Sequence, residues 1–399
     1  MGTKFVTGLA KGSSGCAVGK EAAKMALQKL SGSKVNLSVV FSSSKYNYQE
    51  VIKGIREITD NAPLIGCSSA GEFTEEGVQN GSVVCALISS DTHKFFTGIA
   101  KGLREDEINC VREAAKDFPM SVEDYPYQSY ILCGDGLAGK GEETALAMLS
   151  VLGANMKFAG GSAGDDLKML ETASFADDKA LSDAVSLAFV ASKKPLVIAV
   201  RHGHIPISPP LTITKSEANV VYEVDGKPAF EVWKRYAAED AKKFSGIDVN
   251  KLQDCSKELS DFFTRYEAGL YVDGTNYKIR WCGTTATTSG PISFATSMPE
   301  GTVLRIMASP KENQIASARR SAEMVVESLR GVKLAGAVIF DCVVRGVILQ
   351  DEFHKAINAI KEALKVPFVG LETYGEFAME TGQMSGFHNT TTVILAIPG

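Results

Sequence analysis

The chain has 399 residues, 45% hydrophobic and 22% charged, with 42 basic against 47 acidic side chains and a formal net charge of -5. This is a globular composition with room for two domains, and without the basic tract that displaces counterions from nucleic acid it excludes a nucleic-acid partner. No apolar run reaches the roughly 18 to 20 residues needed to cross a bilayer, and the start, Met1-Gly-Thr-Lys-Phe5, lacks a secretory apolar region, so the reading is a cytoplasmic protein with no membrane partner.

In chain order, the spacing of Ala22, Ala26, Leu27 and Leu30 predicts a helix over 19–30. The preceding Lys11-Gly-Ser-Ser-Gly15-Cys-Ala-Val-Gly19-Lys20 fails as a phosphate-binding loop, because the frame would need glycine at Ser14 and a hydroxyl at Glu21. Residues 37–41 read as a strand and 48–59 as a helix with Val51, Ile52, Ile55 and Ile58 inward. A second strand and helix follow over 130–133 and 144–152, then strands over 184–190 and 196–200 joined at Lys193-Lys194-Pro195. The Pro-rich stretch Ile205-Pro-Ile-Ser-Pro-Pro210 marks the domain boundary, dividing the chain into 1–204 and 205–399. Beyond it come a helix from Ala229 to about Tyr236, strands near 270–272, 280–282 and 303–307, and a helix over 312–329. The last elements are a strand over 337–340, a helix carrying Phe353, Ile357, Ile360 and Leu364, and a strand over 366–370.

One segment repeats. Pro63-Leu-Ile-Gly66-Cys-Ser-Ser-Ala-Gly71-Glu72-Phe73 matches Pro367-Phe-Val-Gly370-Leu-Glu-Thr-Tyr-Gly375-Glu376-Phe377 without a gap, and Gly77 and Gly81 recur as Gly382 and Gly386 after one inserted residue. Each copy closes a strand–helix–strand unit, and a looser third copy ends in Phe158-Ala-Gly160-Gly161-Ser-Ala-Gly164-Asp165-Asp166. The fold class is therefore α/β, with α+β as the alternative: two related halves of repeated βαβ units, in mixed sheets flanked by helices.

The residues that could carry chemistry gather at these strand ends, where open α/β sheets bind ligands. Glu72, Asp165 and Glu376 follow glycine turns, and two of them facing each other would suit an amine or a cation; the alternative is that each acid caps a turn. Cys342 and Arg345 follow a strand directly. Arg345 suits a ligand carboxylate or phosphate, or else a salt bridge to Asp341 or Glu372. A nucleophilic Cys342 lacks a recognisable base, which leaves an enzyme as the weakest reading. His388 and Asn389 suit a ligand hydrogen bond or, for the imidazole, haem ligation, against a histidine held structurally by the threonine run beside it. His202 and His204 share a face if they lie on a strand, whereas His93 and His354 read as surface residues.

The N-terminal half, with Val39-Val-Phe-Ser42, Pro63 to Glu72 and Phe158 to Asp165, resembles the FIST N-terminal domain. The C-terminal half resembles the FIST C-terminal domain through Asp225-Gly-Lys-Pro-Ala229, Ile339-Phe-Asp-Cys342-Val-Val-Arg345-Gly, Phe368 to Glu376, and His388-Asn389-x-Thr391. The resemblance implies an intracellular sensory module for small ligands, amino acids among them, with outputs such as kinases, cyclic-dinucleotide enzymes and chemotaxis transducers. Some members of that family bind haem and sense nitric oxide, which makes haem the alternative cofactor. With no length left for an output domain, the expectation is a separate signalling partner. One departure is Arg201-His202-Gly203-His204, where many relatives carry an aromatic after the glycine of that strand.

Overall fold

The computed structural model describes residues 2–153, 156–274, 276–283, 287–380 and 386–399. Its first unit runs β1 (Lys4–Ala10), α1 (Gly15–Leu30), β2 (Leu37–Ser43), α2 (Tyr48–Ile58), β3 (Leu64–Ser69), a hairpin of β4 (Glu72–Thr74) and β5 (Gly77–Gln79), and β6 (Val83–Ser89). The second repeats that order as β7 (His93–Lys101), α3 (Glu107–Ala115), β8 (Tyr127–Gly134), α4 (Gly141–Leu152), β9 (Lys157–Ser162), β10 (Ser174–Ala176), β11 (Lys179–Leu181) and β12 (Ala184–Ser192).

A third unit opens with β13 (Val197–Arg201) and is then interrupted by a separate sheet. That sheet comprises β14 (Ile205–Pro206), β15 (Leu211–Glu217), β16 (Val220–Val224), β17 (Lys227–Pro228), β18 (Tyr266–Asp273), β19 (Asn276–Arg280), β20 (Ile292–Ser293) and β21 (Val303–Ala308). Helices α5 (Ala229–Asp240) and α6 (Lys257–Arg265) pack on it, around the fully buried Trp233, Phe262, Phe294 and Ile306. The unit resumes with α7 (Lys311–Ser328), β22 (Leu334–Cys342), α8 (Val343–Leu349), α9 (Phe353–Leu364), β23 (Phe368–Thr373), β24 (Glu376–Met379), β25 (Gly386–His388) and β26 (Thr392–Pro398). The first half of the chain thus contributes two units and the second half one, in mixed sheets flanked by helices.

Each unit pairs its two helix-linked strands in parallel and sends its hairpin to a neighbour's sheet. The hairpin of the first unit extends β23, that of the second extends β3, and that of the third extends β9. All three dock in one register, with Phe73 opposite Gly370, Phe175 opposite Gly66 and Phe377 opposite Gly160. At the first of these a Cβ on Gly370 would stand 2.1 Å from the Phe73 ring, so the aromatic requires the glycine. The exchange also explains the apolar runs: strands covered on both faces need no polar side. Phe41, Cys67, Ile131, Cys133, Val338 and Phe340, from all three sheets, meet in one core, and the helices cover the outer faces.

This register corrects part of the repeat drawn from sequence. Gly386 pairs with Ala378 as Gly77 pairs with Thr74, so its counterpart is Gly77 rather than Gly81, and Gly382 lies outside the described residues. The longer hairpin of the third unit displaced the glycine match that allowed one inserted residue, while the ungapped match of 63–73 with 367–377 keeps its register. Gly19 of the failed phosphate-loop frame has a packing role instead, together with Gly54 of α2: Cβ atoms on them would lie 2.3 Å from the Val51 and Cys16 carbonyl oxygens, so they let α1 and α2 touch.

Candidate functional site

The repeated acids come first. Glu72 is fully buried and accepts hydrogen bonds from Ser69 Oγ, Ser82 N (3.0 Å) and Ser82 Oγ (2.6 Å). Glu376 is held in the same way by Thr373 Oγ1 (2.5 Å), Thr391 N (3.1 Å) and Thr391 Oγ1 (2.8 Å). Each carboxyl fastens the start of a departing hairpin to the start of the returning strand. In the second unit, where Ser174 occupies that place, Asp135 takes over: Asp183 N donates to it at 2.6 Å and Thr172 Oγ1 at 2.7 Å. Burial pushes Glu72 up to about 7 and Glu376 up to about 8, against the pull of these hydrogen bonds.

Arg345 is also fully buried. Its Nε donates to Asp341 Oδ1 at 2.8 Å, Nη1 to Gln314 Oε1 and to Ser317 Oγ (3.1 Å), and Nη2 to the Gln314 carbonyl at 3.0 Å. Of the two salt-bridge partners weighed for it, Asp341 is the one it takes. Cys342 ends β22 as a buried thiol, pushed well up by burial and by the neighbouring Glu376 and Glu267 carboxyls, which is the opposite of an activated nucleophile.

His388 and Asn389 lie where the inserted sheet meets the three-unit body. Asn389 Oδ1 accepts from Trp281 N at 3.2 Å, while Arg280 donates to the Phe387 carbonyl at 2.9 Å and to Glu142 at 2.7 Å. His388 is fully buried, neither ring nitrogen has a hydrogen-bond partner among the described residues, and burial beside Lys278 and Arg280 keeps the ring neutral. Nearby, His204 Nε2 lies 2.6 Å from Glu267 Oε2. Burial pushes Glu267 well up and His204 down to about 3, so this contact joins a neutral imidazole to a neutral acid. His202 and His204 fall just past β13 rather than on it. His354 is exposed as read, but His93 is buried, its Nδ1 within 3.1 Å of the Thr3, Ser90 and Thr92 hydroxyls.

Among the described residues, Asp165 lines a cleft. This space of about 440 Å³ lies beyond β2, at the first turn of α2, and is walled by Ser44, Tyr46, Tyr48, Lys168 and Glu171. Asp165 accepts from the amides of Met169 (2.9 Å), Leu170 (2.6 Å) and Glu171 (3.0 Å) and from Tyr374 Oη (2.5 Å). Burial alone would raise its carboxyl, but these bonds outweigh it and the net shift is downward. They also hold Asp166, Leu167 and Met169 at positive φ, a conformation that costs energy in non-glycine residues. Lys168 Nζ donates to Ser44 Oγ at 2.8 Å. The first-turn amides of α2 have no carbonyl within the helix, and Asn47 caps only that of Glu50.

A second cleft, of about 360 Å³, occupies the corresponding position in the third unit, beyond β22 and β23 at the start of α8. It is lined by Glu372, Asn80, Val343, Val347, Phe353 and Leu167 among others, so the 165–171 loop walls both spaces. Glu372 was missed as a site residue by sequence reasoning. The signal was present: aligned on the repeat, Glu372 stands where the other copies carry Ser68 and Ser162. In the fold all three positions donate their amide to the residue ahead of an incoming hairpin, at Gly71, Ala173 and Gly375.

The structure therefore places Glu72, Glu376, Arg345 and Cys342 inside the scaffold, His388 and Asn389 at the inserted-sheet junction and Asp165 at a cleft, rather than all in one cavity. Family models match the FIST N domain over residues 36–227 and the FIST C domain over 229–379. The chain belongs to the FIST family. FIST domains are taken as sensory domains for small ligands. A relative described as uncharacterized protein MJ1623, from Methanocaldococcus jannaschii, is 23% identical over 370 residues, covering 86% of this chain and 69% of that one. A solved cyanuric acid hydrolase matches all of both chains at 9% identity with a TM-score of 0.33. PurLQS from Thermotoga maritima matches at 10% identity with a TM-score of 0.21, covering 99% of this chain and 72% of that one. Both scores are too low to carry a structural comparison. Among the described residues no helix is long and apolar enough to cross a membrane, and no group of three His, Cys, Asp or Glu side chains is placed to hold a metal ion.

Proposed function

We propose that this FIST protein is a cytoplasmic sensor that binds a small zwitterion, with amino acids as the leading candidates, in the cleft at Asp165, Lys168 and Glu171. The bound state passes to a separate signalling protein such as a kinase or a chemotaxis transducer. The observation that supports this reading is the lining of that cleft. Lys168 and the orphan amides of α2 offer positive charge to a carboxylate, and Glu171 offers negative charge to an ammonium, beside the Tyr46 and Tyr48 rings. It sits where parallel strands end, the usual ligand position in α/β sheets. The 165–171 loop, pinned by Asp165 and joined at Gly164 and Asp166 to the Ser68 and Ser69 carbonyls, connects that cleft to the centre of the three units.

Thermal shift with a panel of amino acids tests this, since a ligand that binds the native state raises Tm by mass action. A shift lost in both Lys168→Ala and Glu171→Gln supports the cleft; a shift of unchanged size in both variants removes it. The enzyme alternative finds no support in the buried, neutral Cys342 thiol. The haem alternative rests on His388, buried beside Lys278 and Arg280, and on His204, whose Nε2 contacts Glu267; neither lines either cleft. That environment does not fit the open, largely apolar space a haem requires.

A further inference from the structure

We infer that the cleft at Glu372 is a second binding site, selective for organic ammonium ions: a primary or secondary amine on a compact apolar body. The inference stands apart from the zwitterion cleft and needs none of its residues.

Four observations converge on it. Glu372 is 7% exposed and lines the cleft, yet its carboxyl makes no hydrogen bond or ion pair among the described residues. Arg345, the basic residue of α8, gives its donors to Asp341, Gln314 and Ser317 instead. The space for the carboxyl is built by two glycines: a Cβ on Gly346 would come within 1.9 Å of Oε1, and one on Gly71 within 2.1 Å of Oε2. Among the described residues no Lys or Arg lines the cleft, while Val78, Val343, Val347, Phe353 and Leu167 give it apolar walls.

A buried acid without a partner costs several kcal/mol if ionised, so such a group stays protonated until a cation arrives. Every charged neighbour that acts on it is of like sign: Asp341 on β22, Glu72 on β4 and Asp166 in the shared loop. Burial and these acids hold the Glu372 carboxyl well above the carboxylate range. An ammonium supplies the missing charge and three donors, and its entry displaces the Glu372 proton to solvent. His354 and Asp351, the other titratable residues of the lining, are joined to each other through a 2.6 Å contact of His354 Nδ1 with the Asp351 carbonyl. A metal ion is a poorer fit, because one carboxyl among apolar walls cannot supply the six or more oxygens that calcium or magnesium require. The Ser68 and Ser162 counterparts are neutral, which confines the charge to this unit.

The test uses the whole chain with phenethylamine and isopentylamine as probes, set against phenethyl alcohol and isovalerate as neutral and anionic controls, read by calorimetry and thermal shift. The expected result is saturable binding of an amine and none of either control, with tightening as pH rises toward neutrality. Glu372→Gln, isosteric and uncharged, should weaken amine binding at least about tenfold, the loss of a charge-assisted contact. Should that variant fold poorly, Val347→Phe serves instead: Val347 is 37% exposed, and the larger ring should block the cleft and abolish the amine shift. Amine affinity unchanged in either variant, equal binding of the alcohol, or no saturable amine binding would each overturn the inference. None of these outcomes bears on Lys168 and Glu171, whose amino-acid response is read separately.

Discussion

Glu376 and Glu372 lie four residues apart, both nearly or fully buried, and do opposite things. Glu376 and its repeat partner Glu72 are each surrounded by two hydroxyls and a backbone amide at matching places, so repetition marks a joint of the architecture. Glu372 has no counterpart acid in the repeat, its carboxyl has no partner among the described residues, and it faces a cleft. In this chain the acids that keep the pattern fasten the architecture, and the acid that breaks it lines open space. Four substitutions or conditions can break that contrast.

The largest effect should come from Arg345→Met, which leaves Asp341 ionisable, buried and unpaired; urea unfolding should show a loss of about 3–5 kcal/mol. If Arg345 were instead a ligand arginine, stability would survive and binding alone would fall. Next is Glu72→Ala, which strands the Ser82 amide and two hydroxyls in the interior and should cost about 1–3 kcal/mol by the same measurement.

A smaller effect is pH-dependent. Glu72 and Glu376 have raised folded values, about 7 and about 8 against an ordinary 4.5, so their contribution is complete below that ordinary value and is lost as pH rises through 7 and 8. Unfolding midpoints should fall as pH rises from about 4.5 to about 8, and the Glu72→Gln, Glu376→Gln double variant should show a shallower fall. A midpoint that rises over the same range would reverse the sign. The smallest change is expected for Lys168→Ala, which should alter stability by no more than about 0.5 kcal/mol while removing the amino-acid response.

Much of the scaffold was legible. The 3.6-residue periods of 48–59 and 353–364 correspond to α2 and α9, and the matched glycine turns predicted the related units. What the sequence concealed was long-range. Nothing local announces that Phe73 will pair with Gly370, or that the chain returns from the inserted sheet at Lys311 to complete the unit begun at Val197. The same limit affected the site. Glu72, Glu376 and Arg345 carry the right chemistry for a ligand, but their partners Ser82, Thr391 and Gln314 lie 10, 15 and 31 residues away and come into place only in the fold. His93 was misread for a similar reason: a lone histidine at a strand start looks exposed until Thr3 and Ser90 close over it. Asp165 could be placed at a strand-end turn because the glycines and the acid are adjacent in sequence, and in the fold it lines a cleft. Glu372 stood inside the quoted repeat, where the mismatch with Ser68 was the only available sign.

The most direct measurement compares the unfolding free energies of Glu376→Ala and Glu372→Ala at neutral pH, each against the parent chain. The predicted result is a clear loss for Glu376→Ala, on the order of 1–3 kcal/mol from stranded hydrogen-bond donors, and no loss for Glu372→Ala, where an unpartnered buried acid is removed. Equal losses in the two variants, or a loss confined to Glu372→Ala, would contradict the division between architectural and ligand-facing acids.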